Sequence, residues 1–276
     1  MADRSAPTDH SSIEFVLCDL DGVVWLARRA IAGAPEAIAR LRASGRRVLF
    51  VTNNSVSTVA DQEQALAAIG VPATGDVVTS AQAAASLVGD DDSVLVCGGP
   101  GVVEAVTAIG AEVVAIDGDE PADTVIVGLD RSFDFARLTV TSRAIRGGAG
   151  FVATNDDPTF PTPTGFTPGA GSIVAAVATA AGREPVIAGK PHAPMAELVR
   201  RRCGPRFSAR TALMVGDRWS TDGAFARELG CPFAMVRSGV TPVGADPGGD
   251  VDIDETDLAS VADLILGAER PDSVDR

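Results

Sequence analysis

Two aspartates, Asp19 and Asp21, stand one residue apart in the stretch FVLCDLDGVVW, residues 15–25, directly behind an apolar run. Like charges this close repel, and burial beside a strand adds to the cost, so the pair needs a compensating partner. Three other stretches place chemistry at the same point of an apolar run. RRVLFVTNN closes on Thr52, Asn53 and Asn54; GKPHAPM carries Lys190; MVGDRWSTD supplies Asp217 and Asp222. Acids, a hydroxyl, amides and one ammonium suit a dianionic phosphate ester together with Mg2+, because a hard cation takes oxygen ligands and offsets the repulsion among carboxylates. Side chains one residue apart point to opposite faces of a strand, so Asp19 and Asp21 converge only through a bend, which Gly22 can supply. Lys190 stands out further: of 23 basic residues it is the single lysine, although chance survival in an Arg-rich chain is the plain alternative.

The elements that must hold these residues can be read from periodicity. The runs IEFVLCDL and RRVLFVTNN alternate with the helical patterns APEAIARLRASG and TVADQEQALAAIG, which is the mark of βα units around a parallel sheet. In such sheets ligands bind beyond the carboxyl ends of the strands, where the residues above all fall. Pro35 fits a first helical turn, Gly45 and Gly70 read as helix stops, and Ser80 reads as a helix cap. A second series, SVLVCGG, AEVVAI, DTVIVGL and GFVATN, predicts a separate α/β body. The simplest organisation is a core domain of residues 13–92 and 185–270, interrupted by an α/β cap at 93–184, with flexible termini at 1–12 and 271–276.

In their order, DLDGVVW, VTNNS, GKP and GDRWSTD resemble the four motifs of the haloacid dehalogenase superfamily, and ATNDD…GFTPGAGS resembles its NagD-like, p-nitrophenyl-phosphatase branch. The resemblance covers about residues 13–267. It implies a Rossmann-like, doubly wound parallel-sheet core with a large inserted α/β cap. It also implies Mg2+-dependent hydrolysis of small phosphate monoesters through an aspartyl-phosphate. Carried over residue by residue, Asp19 is the nucleophile and Asp21 the general acid and base. The Asp19 and Asp217 carboxylates and the Asp21 carbonyl hold Mg2+, and Asp222 orients metal-bound water or supports Lys190. Thr52, the Asn53 amide, Asn54 and Lys190 meet the phosphorylated substrate, and Asn155 and Asp157 of the cap motif bind it at the core–cap mouth. The cap stretch points to glycerol 3-phosphate or a related small polyol phosphate, and large caps of this type can form homodimer surfaces. Gly223 departs from the pattern, standing where relatives usually carry Ile or Val.

Plainer readings exist for single motifs. DLDG can be a turn, Thr221 can cap a helix with Asp222 favouring its dipole, and Asn155 and Asp157 can shape a loop. His192 reads as a surface or helix-entry residue or a substrate contact, and Trp25 and Trp219 as entrance lining or packing. An aspartate nucleophile would also serve a 2-haloacid dehalogenase, but halide leaves without a proton and gives Asp21 nothing to do. A phosphoacceptor or ligand-sensing protein without turnover is the alternative from another class; a phosphoacceptor module has no need of an inserted domain, and the intact set of Asp19, Asp21, Thr52, Lys190, Asp217 and Asp222 argues against a ligand sensor. A net charge of −14 argues against nucleic-acid partners, since no basic stripe is present. Cys18, Cys97, Cys203 and Cys231 are scattered without a C-x-x-C pair, which disfavours zinc and disulfides and fits a reducing cytoplasm. No apolar run is long enough for a membrane anchor.

Overall fold

The computed structural model describes residues 10–117, 120–162 and 165–267. The expected flexible tail at 271–276 and most of that at 1–12 lie outside these residues, and His10–Ser12 forms a short 3-10 turn. The chain divides into two compact units. One comprises Met1–Val51, Ala65–Asp76 and Cys203–Arg276, the other Thr52–Gln64 and Val77–Arg202.

The first unit is built on parallel strands in the order Ile253–Glu255, Phe233–Val236, Ala212–Gly216, Phe15–Cys18 and Arg47–Thr52, the last of these up to Val51. Phe15–Cys18, Ala212–Gly216 and Phe233–Val236 are buried at every position, which is why they read as continuous apolar runs rather than alternating ones. Phe15–Cys18 lies centrally, and the strand order reverses there: the chain passes to Arg47–Thr52 on one side and to Ala212–Gly216 on the other. Such a reversal separates the loops leaving neighbouring strands and opens a crevice at their carboxyl ends. Helices Ala34–Ala43 and Leu258–Leu266 pack on each other; the first carries its proline in the opening turn, as expected, and the second ends on Gly267 at φ 64°.

The second unit has its own parallel sheet, in the order Val186–Ile187, Gly150–Ala153, Thr124–Val127, Ser93–Cys97 and Glu112–Val114. Helices Phe135–Arg146 and Ala170–Ala181 pack together and close a core around Val125, Val127, Phe151, Ile173 and Val177. An antiparallel hairpin pairs Thr159–Thr162 with Gly165–Pro168. The segment 93–184 lies wholly within this unit, which also takes in residues 52–64, 77–92 and 185–202.

Two sequence expectations shift locally. The cap of helix Ser80–Ala85 is Thr79, whose side chain accepts from the Gln82 amide while Gln82 reaches back to the Thr79 amide; Ser80 is the first helical residue. Its hydroxyl is engaged elsewhere. Thr221 caps nothing: Trp219–Gly223 forms a π turn that runs straight into helix Ala224–Leu229. Both units are thus parallel sheets flanked by helices. Among the described residues no helix is long and apolar enough to cross a membrane.

Candidate active site

In the first unit the acids gather at the carboxyl ends of two neighbouring strands. Phe15–Cys18 and Ala212–Gly216 run in register, with Cys18 beside Val215, and the Asp19 amide extends that ladder by donating to the Val215 carbonyl at 2.9 Å. Asp19 therefore leaves its strand next to the point where Asp217 leaves the neighbouring one. Among the described residues, carboxylate oxygens of Asp19, Asp217 and Asp222 all lie within 4.8 Å of one another. Asp19 is half-buried, whereas Asp217 and Asp222 are 4% and 0% exposed, so this is not a solvated acidic face. The group includes Asp222, to which the motif comparison gives only a supporting part.

Backbone amides orient the two buried acids. The Val240 amide donates to Asp217 Oδ2 at 2.6 Å, and the Arg218 amide donates to Asp222 Oδ2 at 3.2 Å. Gly22, at φ 87°, makes the bend expected after Asp21, and a Cβ on it would run into the Asp217 carboxylate. The Gly22 carbonyl accepts from Ser238 Oγ at 2.6 Å. Ser238 and Val240 were not found by sequence reasoning, although they follow the apolar run CPFAMV and obey the same strand-end rule. Asp21 is exposed, and the indole of Trp25 donates to its Oδ1 at 3.1 Å. Trp25 is itself 2% exposed, so it packs the interior and orients Asp21.

The carboxylates of Asp19 and Asp217 at adjoining strand ends, and of Asp222 in the π turn that follows, offer oxygen ligands only, the donor set of a hard divalent cation. Holding two of them out of water without a cation would be costly, which makes the residues a fit for Mg2+.

The second unit assembles the other set. Asn53 Oδ1 accepts from the Lys190 amide at 2.8 Å, and Asn53 Nδ2 donates to the Lys190 carbonyl and to Asp157 Oδ2, each at 2.9 Å. Asn155 Nδ2 and Ser80 Oγ both donate to the Asn53 carbonyl at 2.8 Å, and the Asp157 amide donates to Asn155 Oδ1 at 3.2 Å. Lys190, 2% exposed, and Thr52, 3% exposed, are buried polar groups at the ends of their segments. The Thr52 hydroxyl accepts from the Asn54 amide at 3.1 Å, while Asn54 Oδ1 accepts from the amides of Val56 and Ser57 at 3.0 and 3.2 Å. The Asn54 side chain thus shapes its own loop as an Asx turn. His192 Nε2 lies 3.4 Å from Asp156 Oδ2, and this contact holds the Asp156 carboxyl below its usual range.

The remaining singled-out residues are structural. Trp219 donates to the Asp250 carbonyl at 3.1 Å, and the Arg227 guanidinium sits 4.6 Å from its ring centre. Gly223 has its reason here, because a Cβ would come within 2.7 Å of the Trp219 ring. Cys18 is buried in its strand as expected, and burial pushes its thiol up to about 12.

A parallel α/β sheet with acids clustered at the carboxyl ends of the strands flanking a reversal defines a class of metal-using hydrolase folds. Residues 16–112 match the family model for haloacid dehalogenase-like hydrolases, and residues 187–263 match the model for HAD-hydrolase-like proteins. D-glycerol 3-phosphate phosphatase of Mycobacterium tuberculosis is 42% identical over 86% of this chain; the match spans 65% of that enzyme, less than two thirds of its length. The 5′-nucleotidase YutF of Bacillus subtilis is 36% identical, with 82% of this chain and 87% of that one covered. Among solved structures, glycerol phosphate phosphatase from Mycobacterium tuberculosis in complex with magnesium superposes with a TM-score of 0.81 at 37% identity, covering 92% of this chain and 78% of that one. The chain belongs to the haloacid dehalogenase-like hydrolases, and the curated relatives it matches include phosphatases.

Proposed function

We propose that the protein hydrolyses small phosphate monoesters with Mg2+ through an aspartyl-phosphate, glycerol 3-phosphate or a similar polyol phosphate being the favoured substrate. The observation that carries this reading is the meeting of Asp19 and Asp217, at adjoining strand ends, with Asp222 of the following π turn, their carboxylate oxygens within 4.8 Å of one another. The substrate preference is supported by the 42% identity to a glycerol 3-phosphate phosphatase.

The Asp19 and Asp217 carboxylates, with the Asp21 carbonyl, would hold Mg2+, and Asp222 would complete the acid group. When bound, the ion offsets negative charge so that an anionic nucleophile and a dianionic ester can approach. The Asp19 carboxylate attacks phosphorus; the new Asp19 O–P bond forms as the bond from phosphorus to the leaving oxygen breaks. Asp21, entering as the acid, gives its proton to that oxygen, and the alcohol departs. Asp21 then takes a proton from water; the resulting hydroxide oxygen bonds to phosphorus and the Asp19 O–P bond breaks, returning the carboxylate and releasing phosphate. Thr52, the Asn53 amide and Lys190 serve the phosphoryl oxygens as donors and as a point charge. Segment 93–184 is the cap that excludes bulk water during transfer. The burial of all four cysteines supports a reducing, cytoplasmic location, and a homodimer through the cap accords with the branch.

The test compares wild type and Asp19→Asn with p-nitrophenyl phosphate and Mg2+, followed by a ranked panel of phosphorylated metabolites. Turnover in wild type alone, with glycerol 3-phosphate high in kcat/KM, is the expected outcome. Equal phosphate release by the two proteins ends the assignment of Asp19; halide release from a 2-halo acid, or a phosphorylated Asp19 that persists for minutes without turnover, replaces the whole reading. Asp21→Asn is expected to lower kcat by about 10²- to 10⁴-fold.

A further inference from the structure

We propose that the Asn53 side chain is a positioning residue for Lys190 and not a contact to substrate. The proposal rests on the reading above, in which Lys190 meets the phosphoryl oxygens. A primary amide has two N–H donors, and those of Asn53 go to the Lys190 carbonyl and to Asp157 Oδ2, both at 2.9 Å. Its oxygen accepts from the Lys190 amide at 2.8 Å. Asn53 therefore grips the main chain of Lys190 from both sides, and no donor remains on its side chain for a phosphoryl oxygen. The hub is itself fixed, since its carbonyl accepts from Asn155 and from Ser80, each at 2.8 Å.

Residue 189 must be glycine for this grip: a Cβ there would stand 2.6 Å from Asn53 Oδ1 and 2.5 Å from the Thr154 carbonyl. A lysine hangs its charge on a flexible four-carbon stem, so the ammonium is only as well placed as the backbone from which it springs. Displacement of a reacting group by about 1 Å costs on the order of 10²-fold in rate. Asn155 and Asp157 belong to the same device, which gives ATNDD a task in holding Lys190.

The experiment is a double-mutant cycle with Asn53→Ala, Lys190→Ala and the double variant, assayed with p-nitrophenyl phosphate and Mg2+. Asn53→Ala is expected to lower kcat/KM by about 10- to 100-fold and to raise the inhibition constant of inorganic phosphate. The Mg2+ concentration for half-saturation should stay within about twofold of wild type, a split that general unfolding would not give. In the Lys190→Ala background the same change should cost no more than about threefold. A full loss in both backgrounds means that Asn53 acts on substrate directly, and the proposal falls; so does unchanged activity in Asn53→Ala. Wild-type activity in Lys190→Ala overturns the role of Lys190 itself, and it is told apart because the single variant reveals it. If Asn53→Ala does not fold, Asp157→Asn replaces it, with an expected loss of about 3- to 10-fold that disappears once Lys190 is alanine.

Discussion

Gly22 holds φ 87° with its missing side chain facing the Asp217 carboxylate, so any larger residue meets both backbone strain and a collision. Gly22→Ala should destabilise the fold by about 1–3 kcal/mol and raise the Mg2+ needed for activity, measured by urea unfolding and by metal titration. Wild-type values in both would mean that the acid group is far more pliable than its burial indicates. The acids of this group were legible because type and place coincide: a carboxylate directly after an apolar run is costly and demands a reason. Ser238 and Val240 were not legible in the same way. Val240 acts through its amide, which every residue but proline possesses, so no side chain announces it. The Asn53 grip was hidden for a related cause, since its partner is the main chain of a residue 137 positions away.

At the level of elements, the parallel strands showed themselves because burial on both faces writes continuous apolar runs into the chain. The hairpin that pairs Trp25–Leu26 with Arg29–Ala30 did not, because its turn lacks the usual residues. Ala27 and Arg28 take φ of 49° and 64°, the left-handed pair of a type I′ turn, for which Asn-Gly is preferred. Ala27→Asn should therefore stabilise the protein by about 0.5–1 kcal/mol, read as a higher urea midpoint, because asparagine tolerates this backbone better than alanine. A lower midpoint would mean that the turn does not retain its positive φ in solution. The π turn at Trp219–Gly223 was equally hidden: a glycine that admits an indole ring carries no periodic signal.

For the molecule as a whole, the composition leaves alkaline titration to few groups. There is no tyrosine, one lysine and four cysteines. Burial pushes the Cys18 thiol to about 12 and those of Cys97 and Cys203 to about 11, from an ordinary value of 9.0. In the unfolded chain these thiols ionise near their ordinary value, so above it the unfolded state binds fewer protons than the native one. Stability should be flat with respect to these groups below about pH 8 and should fall from pH 9 to about 11 for Cys97 and Cys203 and to about 12 for Cys18, by at most about 1.4 kcal/mol per pH unit for each thiol. Urea unfolding at successive pH values checks this, with Cys18→Ala expected to flatten the slope; a slope unchanged by that substitution would acquit Cys18. A thiol reagent at neutral pH should label the denatured chain and leave the native one nearly untouched. The bond from the Trp25 indole to Asp21 has a last consequence. Without tyrosine, emission excited at the red edge of the near-ultraviolet band comes from the two tryptophans, and replacing Trp219 by phenylalanine would leave Trp25 as its one source, in contact with the Asp21 carboxyl group that we propose as the general acid. Its colour and lifetime would then report each change at that carboxyl group in real time, without an added dye.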